Sequence, residues 1–371
     1  MEETRMSLRQ RLFKGRLAPF IFAVLAAAVV LAVAFYPTSY YIIRPGSAIE
    51  LAPMVTVEGG QKDEAGVLML TTVRMAKANV LGYLYAKADP YSELMEEGKV
   101  HSPHETDEQY NLRELQEMKN SQENAMIAAF RQAGLPVKVI EKGANVIFLV
   151  PDMPAEKQLQ IGDIITKVND TPIKNAPDLL AALKGRKAGE TVRLTFKRDG
   201  QMRSAVVALK AFPKAPGEKE ARAGIGIAYP NPDGPVTARE VELPKKVTIA
   251  SEKIGGPSAG LMFTLEILNQ LTPGDLTKGY RIAGTGMISA TGKIGPIGGV
   301  EHKVRAADKA GADFFFAPDN PVPQGSKQRS NYADAKAEAE KLGIDMKIVP
   351  VRTLDDAIQY ISGLPPKSSG K

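Results

Sequence analysis

The chain has 371 residues, 44% hydrophobic and 24% charged, a globular composition that excludes gross disorder and a polytopic membrane protein. Its 48 basic and 42 acidic residues leave +6, but residues 1–16 hold five bases and two acids, so half of the excess is a terminal patch and nucleic acid is not an expected partner. The absence of cysteine removes a thiol nucleophile, a disulfide framework and cysteine-rich zinc sites. With three histidines and no HExxH pattern, no metal and no cofactor is expected.

From Leu17 to Tyr36 twenty residues carry no charge, enough at about 1.5 Å per residue to cross a bilayer once. Arg5, Arg9, Arg11, Lys14 and Arg16 precede this stretch, and Arg44 is the only base in the dozen residues after it. The positive-inside rule then makes residues 1–16 a cytoplasmic N-terminus, 17–36 a transmembrane anchor, and the rest extracytoplasmic. A cleaved signal peptide is the alternative, since Ala32-Val33-Ala34 has the small-x-small form, but the apolar stretch exceeds the usual h-region of about 7–15 residues.

Residues 38–85 read as strands (Tyr40–Arg44, Met54–Val57, Val67–Val73) between Pro/Gly turns. A helix between Glu105 and Ala133 carries the apolar stripe Ala125, Met126, Ala129 and Phe130 and stops at Gly134-Leu135-Pro136. His101 and His104 precede it in a loop; without a further ligand nearby they read as solvated.

Residues 137–212 change character: a buried-type strand Val146–Val150, a Gly162-Asp163 turn into a strand, a short helix Asp178–Leu183, and an alternating strand Thr191–Lys197. The run Val150-Pro-Asp-Met-Pro-Ala155, then Leu159–Ile165, then Val168-Asn-Asp-Thr-Pro172 resembles a bacterial PDZ domain. Such domains add an extended peptide to a sheet edge, with loop amides taking a C-terminal carboxylate. The resemblance implies Val146, Ile147 and Phe148 as the peptide-binding segment. No Gly-Leu-Gly-Phe-type loop precedes Val146, and Gly224-Ile-Gly-Ile227 follows the domain, so C-terminal specificity stays open.

Residues 213–222 read as a linker, residues 213–362 as the C-terminal part of the catalytic region, and 363–371 as a disordered tail. Gly255-Gly-Pro-Ser-Ala-Gly260 opens an apolar helix, with Pro257 at its first position and Ser258 in its first turn, beside backbone N–H groups that lack intrahelical acceptors. Gly255, Gly256 and Ala259 are the candidate oxyanion or substrate-binding residues, and the alternative is that Ser258 merely caps a buried helix. Farther on, Gly298–Gly311 is a helix bounded by glycines. At about 100° per residue Lys303 shares the arc of Val300, Val304 and Ala307, while Glu301, His302, Arg305, Asp308 and Lys309 take the charged face. A lysine buried on that arc would lose its proton readily, as a general base must; one that snorkels at its edge would not.

Gly256-Pro-Ser-Ala-Gly260, Gly284-Thr-Gly286 and Pro296-Ile-Gly-Gly-Val-Glu-His-Lys303, followed by Ala306-Ala307 and Phe316-Ala-Pro318, resemble the proteolytic domain of Lon in order and spacing. The resemblance implies Ser258 as nucleophile, Lys303 as base and Thr285 as support for the lysine. One departure is Ile254-Gly255-Gly256 where Lon has a charged Lys-Asp-Gly. The whole chain is similar to the membrane-anchored, PDZ-containing Lon-like proteases of Gram-positive bacteria, the YlbL family. That likeness implies an α+β (mixed α/β) Lon-type proteolytic domain, begun by residues 37–136, with an inserted β-rich PDZ domain and one N-terminal transmembrane helix. Gly286–Ile294 is not a P-loop, because five residues separate its glycines and Ile294 replaces the Ser/Thr.

An ATP-independent serine endopeptidase is therefore expected. Its partners would be unfolded or small, membrane-proximal polypeptides, the membrane itself, and further copies in a ring-like homo-oligomer. A membrane-tethered PDZ adaptor or holdase with an inactive Lon-like domain is the alternative.

Overall fold

The computed structural model describes residues 8–61, 65–101, 105–212, 222–227, 236–251, 254–322 and 328–367, with side chains from residue 19 onward. His104, nearly all of the expected linker 213–222 and residues 368–371 lie outside them, as do residues 1–7 of the expected cytoplasmic N-terminus. The chain begins with helix α1 (Leu8–Ala34), strands β1 (Pro37–Glu50), β2 (Val55–Val57) and β3 (Val67–Asn79), helix α2 (Val80–Ala88), strand β4 (Glu93–Glu96), and helices α3 (Glu97–Val100) and α4 (Asp107–Gln132). Next come β5 (Lys138–Asn145), β6 (Ile164–Val168), β7 (Thr171–Pro172), α5 (Ala176–Leu183), β8 (Thr191–Arg198), β9 (Gln201–Ala208), β10 (Lys210–Ala211), β11 (Ala223–Gly224) and β12 (Thr237–Glu242). The chain continues through β13 (Val247–Ile249), α6 (Gly260–Leu271), β14 (Arg281–Gly284), β15 (Met287–Ile288), β16 (Ile294–Gly295), α7 (Val300–Lys309), β17 (Phe314–Pro318), α8 (Asn331–Leu342), β18 (Lys347–Val351) and α9 (Leu354–Ser362).

Two compact units divide these elements, one from the chain up to Pro45 together with Val73–Val100, the other from Gly46–Thr72 and everything from His101. The long strands β1 and β3 are shared between them, so residues 37–136 contribute to both units. In the first unit β4 pairs antiparallel with β1, Tyr41 opposite Met95. Among the described residues no helix is long and apolar enough to cross a membrane, and residues 17 and 18 of the expected anchor lie outside the described side chains.

In the second unit, β14 pairs in parallel with both β3 and β17, and β17 with β18. Alternation along these strands sends Leu68, Leu70, Ile282 and Phe316 to one core, packed under α4 and α6, and Met69, Ala283, Phe315 and Ala317 to another, packed under α7 and α8. Helix α6 is buried from Gly260 to Gln270, its apolar residues interrupted by buried Thr264, Glu266, Asn269 and Gln270. Truncating Phe263 at its centre would cost about 3–5 kcal/mol. Helix α4 starts with a capping box between Thr106 and Gln109 and ends before Gly134, whose φ of 70° only glycine adopts readily.

The PDZ-like sheet runs β12-β5-β6-β8-β9 around a core of its own that includes Ile165, Leu194 and Phe196. Two expectations change here. Val146–Val150 is not a ladder strand: the strand is β5, ending at Asn145, after which the Val146 N–H donates to the Asp163 carbonyl and its own carbonyl accepts from Gly162. The region also does not end at 212, because Ile225 lies in its core, Ile227 bridges Leu149, and β12 pairs with the whole of β5. The expected tail is held as far as Lys367, whose N–H donates to the Lys278 carbonyl and whose ammonium pairs with Asp313.

Candidate active site

A proline favours a first helical position because it has no N–H to leave unpaired. Pro257 begins a 3-10 turn through Ala259 that runs into α6, and Ser258 sits in that turn. Gly256 reaches it with φ of 85°, where a side chain would be strained and a Cβ would also meet Glu114 Oε2 at 2.9 Å. Helix α4 holds this corner twice: Gly256 N–H donates to the Glu114 carbonyl at 2.9 Å, and Ser121 Oγ donates to the Pro257 carbonyl at 2.8 Å.

The strand β14 ends at Gly284 and delivers Thr285, whose N–H donates to the Phe316 carbonyl of β17. From there Thr285 Oγ1 donates to the Ser258 carbonyl at 3.1 Å, and Gly286 N–H donates to the same oxygen at 2.8 Å. Leu261 N–H returns a bond to the Gly286 carbonyl at 3.0 Å, so the turn bearing Ser258 is clasped from both sides.

Gly299, with φ of 65°, starts α7, and Val300, Val304 and Ala307 bury its face against Phe315, Ala335 and Ala339. Lys303 lies on that face, 3% exposed. Its Nζ is 2.7 Å from Ser258 Oγ and 3.0 Å from Thr285 Oγ1. Burial pushes its pKa from 10.5 down to about 7, because the ammonium form loses hydration. About half of the amine is then neutral at pH 7, able to accept the serine proton.

Ser258, Lys303 and Thr285 therefore converge as the motifs implied. The three candidate oxyanion residues do not act as one group. Gly256 N–H is already bound to Glu114, and Gly255 packs against the Glu114 side chain. Ala259 lies inside the 3-10 turn with its side chain in the core. The amide left beside the Ser258 hydroxyl is that of Ser258 itself, which follows from its place in the first turn. His302 was expected on the charged face but is 4% exposed, because α8 covers a wider arc of α7 than the wheel allows; Arg305 on the same side pairs with buried Glu338.

Of the expected peptide-binding segment Val146, Ile147 and Phe148, Val146 is bonded through both backbone groups to Gly162 and Asp163, and Leu149 just after it stands opposite Ile227. His101 is buried, its Nδ1 3.2 Å from the Glu105 carbonyl, so it is not the solvated loop residue expected. The P-loop look-alike is a hairpin, β15 turning into β16. Glu114 and Ser121 were not found by sequence reasoning. Ser121 carries the signal that marked Lys303, a polar residue in line with buried Met118, Ala125 and Ala128 on one helix face.

Residues 132–209 match the PDZ domain family, and residues 247–361 match the Lon protease (S16) C-terminal proteolytic domain family. Among curated relatives, the Lon protease of Metamycoplasma arthritidis is 36% identical over 106 residues, 29% of this chain and 11% of that protein. The Lon protease of Campylobacter concisus is 38% identical over 108 residues, 28% of this chain and 12% of that one. That of Elusimicrobium minutum is 28% identical over 182 residues, 48% of this chain and 19% of that one. The chain thus spans between a tenth and a fifth of the length of these relatives. Among solved structures, the PDZ domain of an SdrC-like protein from Listeria monocytogenes is 30% identical, covering 24% of this chain and 90% of its own, with a TM-score of 0.21. The chain carries a PDZ domain followed by a Lon protease (S16) C-terminal proteolytic domain, and is a distant homologue of the Lon proteases.

Proposed function

We propose that the chain is an ATP-independent serine endopeptidase, tethered by residues 17–36 with its catalytic part outside the cytoplasm, that cleaves unfolded or small membrane-proximal polypeptides. The observation that carries this reading is the 2.7 Å contact between a buried, proton-poor Lys303 and Ser258 Oγ. In the neutral-amine state the Ser258 hydroxyl donates to Nζ. Attack of Oγ on the scissile carbonyl passes that proton to the amine, and the Ser258 N–H faces the developing oxyanion. The ammonium then protonates the departing amine, leaving an acyl-enzyme and a neutral lysine ready to activate water. Thr285 Oγ1, held by the Ser258 carbonyl, keeps Nζ in line through both transfers.

The PDZ domain supplies capture of extended polypeptide, and the hairpin at 287–295 offers no phosphate cradle. Substrates must therefore arrive unfolded or short. Copies of the chain would assemble as a ring around such substrates. The test uses the full chain in detergent with an unstructured polypeptide, beside its Ser258→Ala twin. Cleavage should need Ser258 and be indifferent to ATP, Mg²⁺ or EDTA. Equal behaviour of the twins would leave the adaptor reading in its place.

A further inference from the structure

Helix α2 is built the reverse of an ordinary surface helix. Two of its small residues face inward: Ala86 is buried, and a Cβ on Gly82 would meet Ile42 of β1 at 3.0 Å. Its large apolar residues face outward, with Leu81 50%, Leu84 58% and Tyr85 56% exposed. These three occupy positions i, i+3 and i+4, so they form one contiguous face, with exposed Ala88 continuing it and no charge among them. An outward face of this kind marks an interaction surface and is not a solvated helix.

What covers it follows from where α2 begins. The Val80 N–H donates to the Tyr36 carbonyl at 3.1 Å, at the end of α1. The described part of α1 is exposed and apolar on every side, as the anchor reading for residues 17–36 requires. Phe35 and Tyr36, both exposed, stand at that exit, and Tyr91 follows α2, the aromatic types that sit at the boundary between acyl chains and headgroups. The Tyr85 hydroxyl accepts from Arg44 Nη2, which also pairs with Asp89, so the polar tip of Tyr85 is tied to groups that belong among headgroups. Charges of both signs adjoin the face: Lys87 borders it, and Arg44 at the Tyr85 hydroxyl is paired with Asp89. The attraction is therefore apolar and does not depend on anionic lipid.

We infer that α2 is a second, interfacial membrane contact, lying in the bilayer surface with Leu81, Leu84 and Tyr85 among the outer ends of the acyl chains. It rests on the anchor reading for residues 17–36 and adds to it a fixed orientation of the first unit, since two contacts prevent free rotation about a single helix.

The chain contains no tryptophan, so an introduced one reports alone. Leu84→Trp and Leu81→Trp, both at exposed positions, are compared in the full chain with Leu25→Trp inside the anchor and Leu180→Trp on the PDZ surface. Each is reconstituted into zwitterionic phosphatidylcholine vesicles, with and without lipid brominated near the top of the acyl chains, and for Leu25→Trp with lipid brominated near the chain ends. The Leu84→Trp and Leu81→Trp chains should show blue-shifted emission and quenching roughly threefold above Leu180→Trp, unchanged by high salt. Quenching no greater than in Leu180→Trp, while Leu25→Trp is quenched, overturns the interfacial contact and spares the anchor. Failure of Leu25→Trp to be quenched overturns both. A blue shift without quenching means that protein, such as a second copy, covers the face, and also overturns it.

Discussion

The catalytic corner and the PDZ body solve closure differently. At the catalytic corner each functional group rides on a short, glycine-bounded motif, and apart from the Lys303 contacts to the Ser258 and Thr285 hydroxyls the long-range bonds that join the motifs go to backbone carbonyls. In the PDZ body closure comes from a segment returning after residues 213–221, whose strand β12 completes the sheet against β5. Chemistry that fails with a displacement of an ångström demands particular residue types at fixed places, whereas a sheet accepts any strand with the right pairing. The return has a geometric result. Lys138 and Glu242 are directly paired, so the two ends of the inserted body lie about 5 Å apart and it attaches to the rest through neighbouring strands.

The largest effects should come from the catalytic corner. Ser258→Ala and Lys303→Arg should each lower kcat by about 10⁴-fold or more, read with a fluorogenic peptide, since guanidinium cannot give up its proton. Near wild-type cleavage by Lys303→Arg would remove the lysine from the mechanism. In the wild type kcat should rise with pH through about 7 and level above it. Glu117, pushed up to about 7 by burial beside Glu114, titrates in the same window, so the Glu117→Gln chain must retain that limb.

Lys303→Met should be inactive but more stable. The folded pKa lies below the ordinary 10.5, so between about 7 and 10.5 the unfolded chain binds the extra proton, stability rises with pH, and the full penalty is present below 7. The gain in stability, read as a higher Tm, should be greatest below pH 7 and shrink toward pH 10, amounting to up to about 5 kcal/mol at the acid end. A gain that does not vary with pH would mean that Lys303 is not the buried base described.

The PDZ side should respond to where it is cut. Deleting residues 138–212 strands Ile225 and β12 without their partners and should lower Tm and promote aggregation. Deleting 138–242 with a two-glycine join should preserve Tm and peptide hydrolysis while weakening capture of a long unfolded substrate. If the shorter deletion is the better behaved, β12 does not belong to the inserted body. The smallest effect is expected from Thr285→Val, about 10-fold in kcat with the pH midpoint shifted, because it removes one of two acceptors around Nζ.

Ser258 and Lys303 were legible because each breaks a local rule, a hydroxyl at a proline-started helix and a cation on an apolar arc. Thr285 was legible only through the Lon resemblance. The oxyanion assignment was not, since whether Gly256 keeps its N–H free depends on Glu114, 142 positions earlier in the chain. The Val146–Val150 strand was misread because a short apolar run states burial but not pairing. His302 shows the limit of a helical wheel, which ranks faces without counting the elements that cover them.

The bond from Ser121 Oγ to the Pro257 carbonyl joins residues 136 positions apart, with the whole PDZ body between them. A nascent chain must therefore make that body before the turn bearing Ser258 can be fixed, and must extend past α7 before Lys303 arrives. Such long-range closure is slow. If the chain cuts proteins as proposed, this order of synthesis acts as a timer: the chain emerges, folds its PDZ body, and only at the end acquires the means to cut.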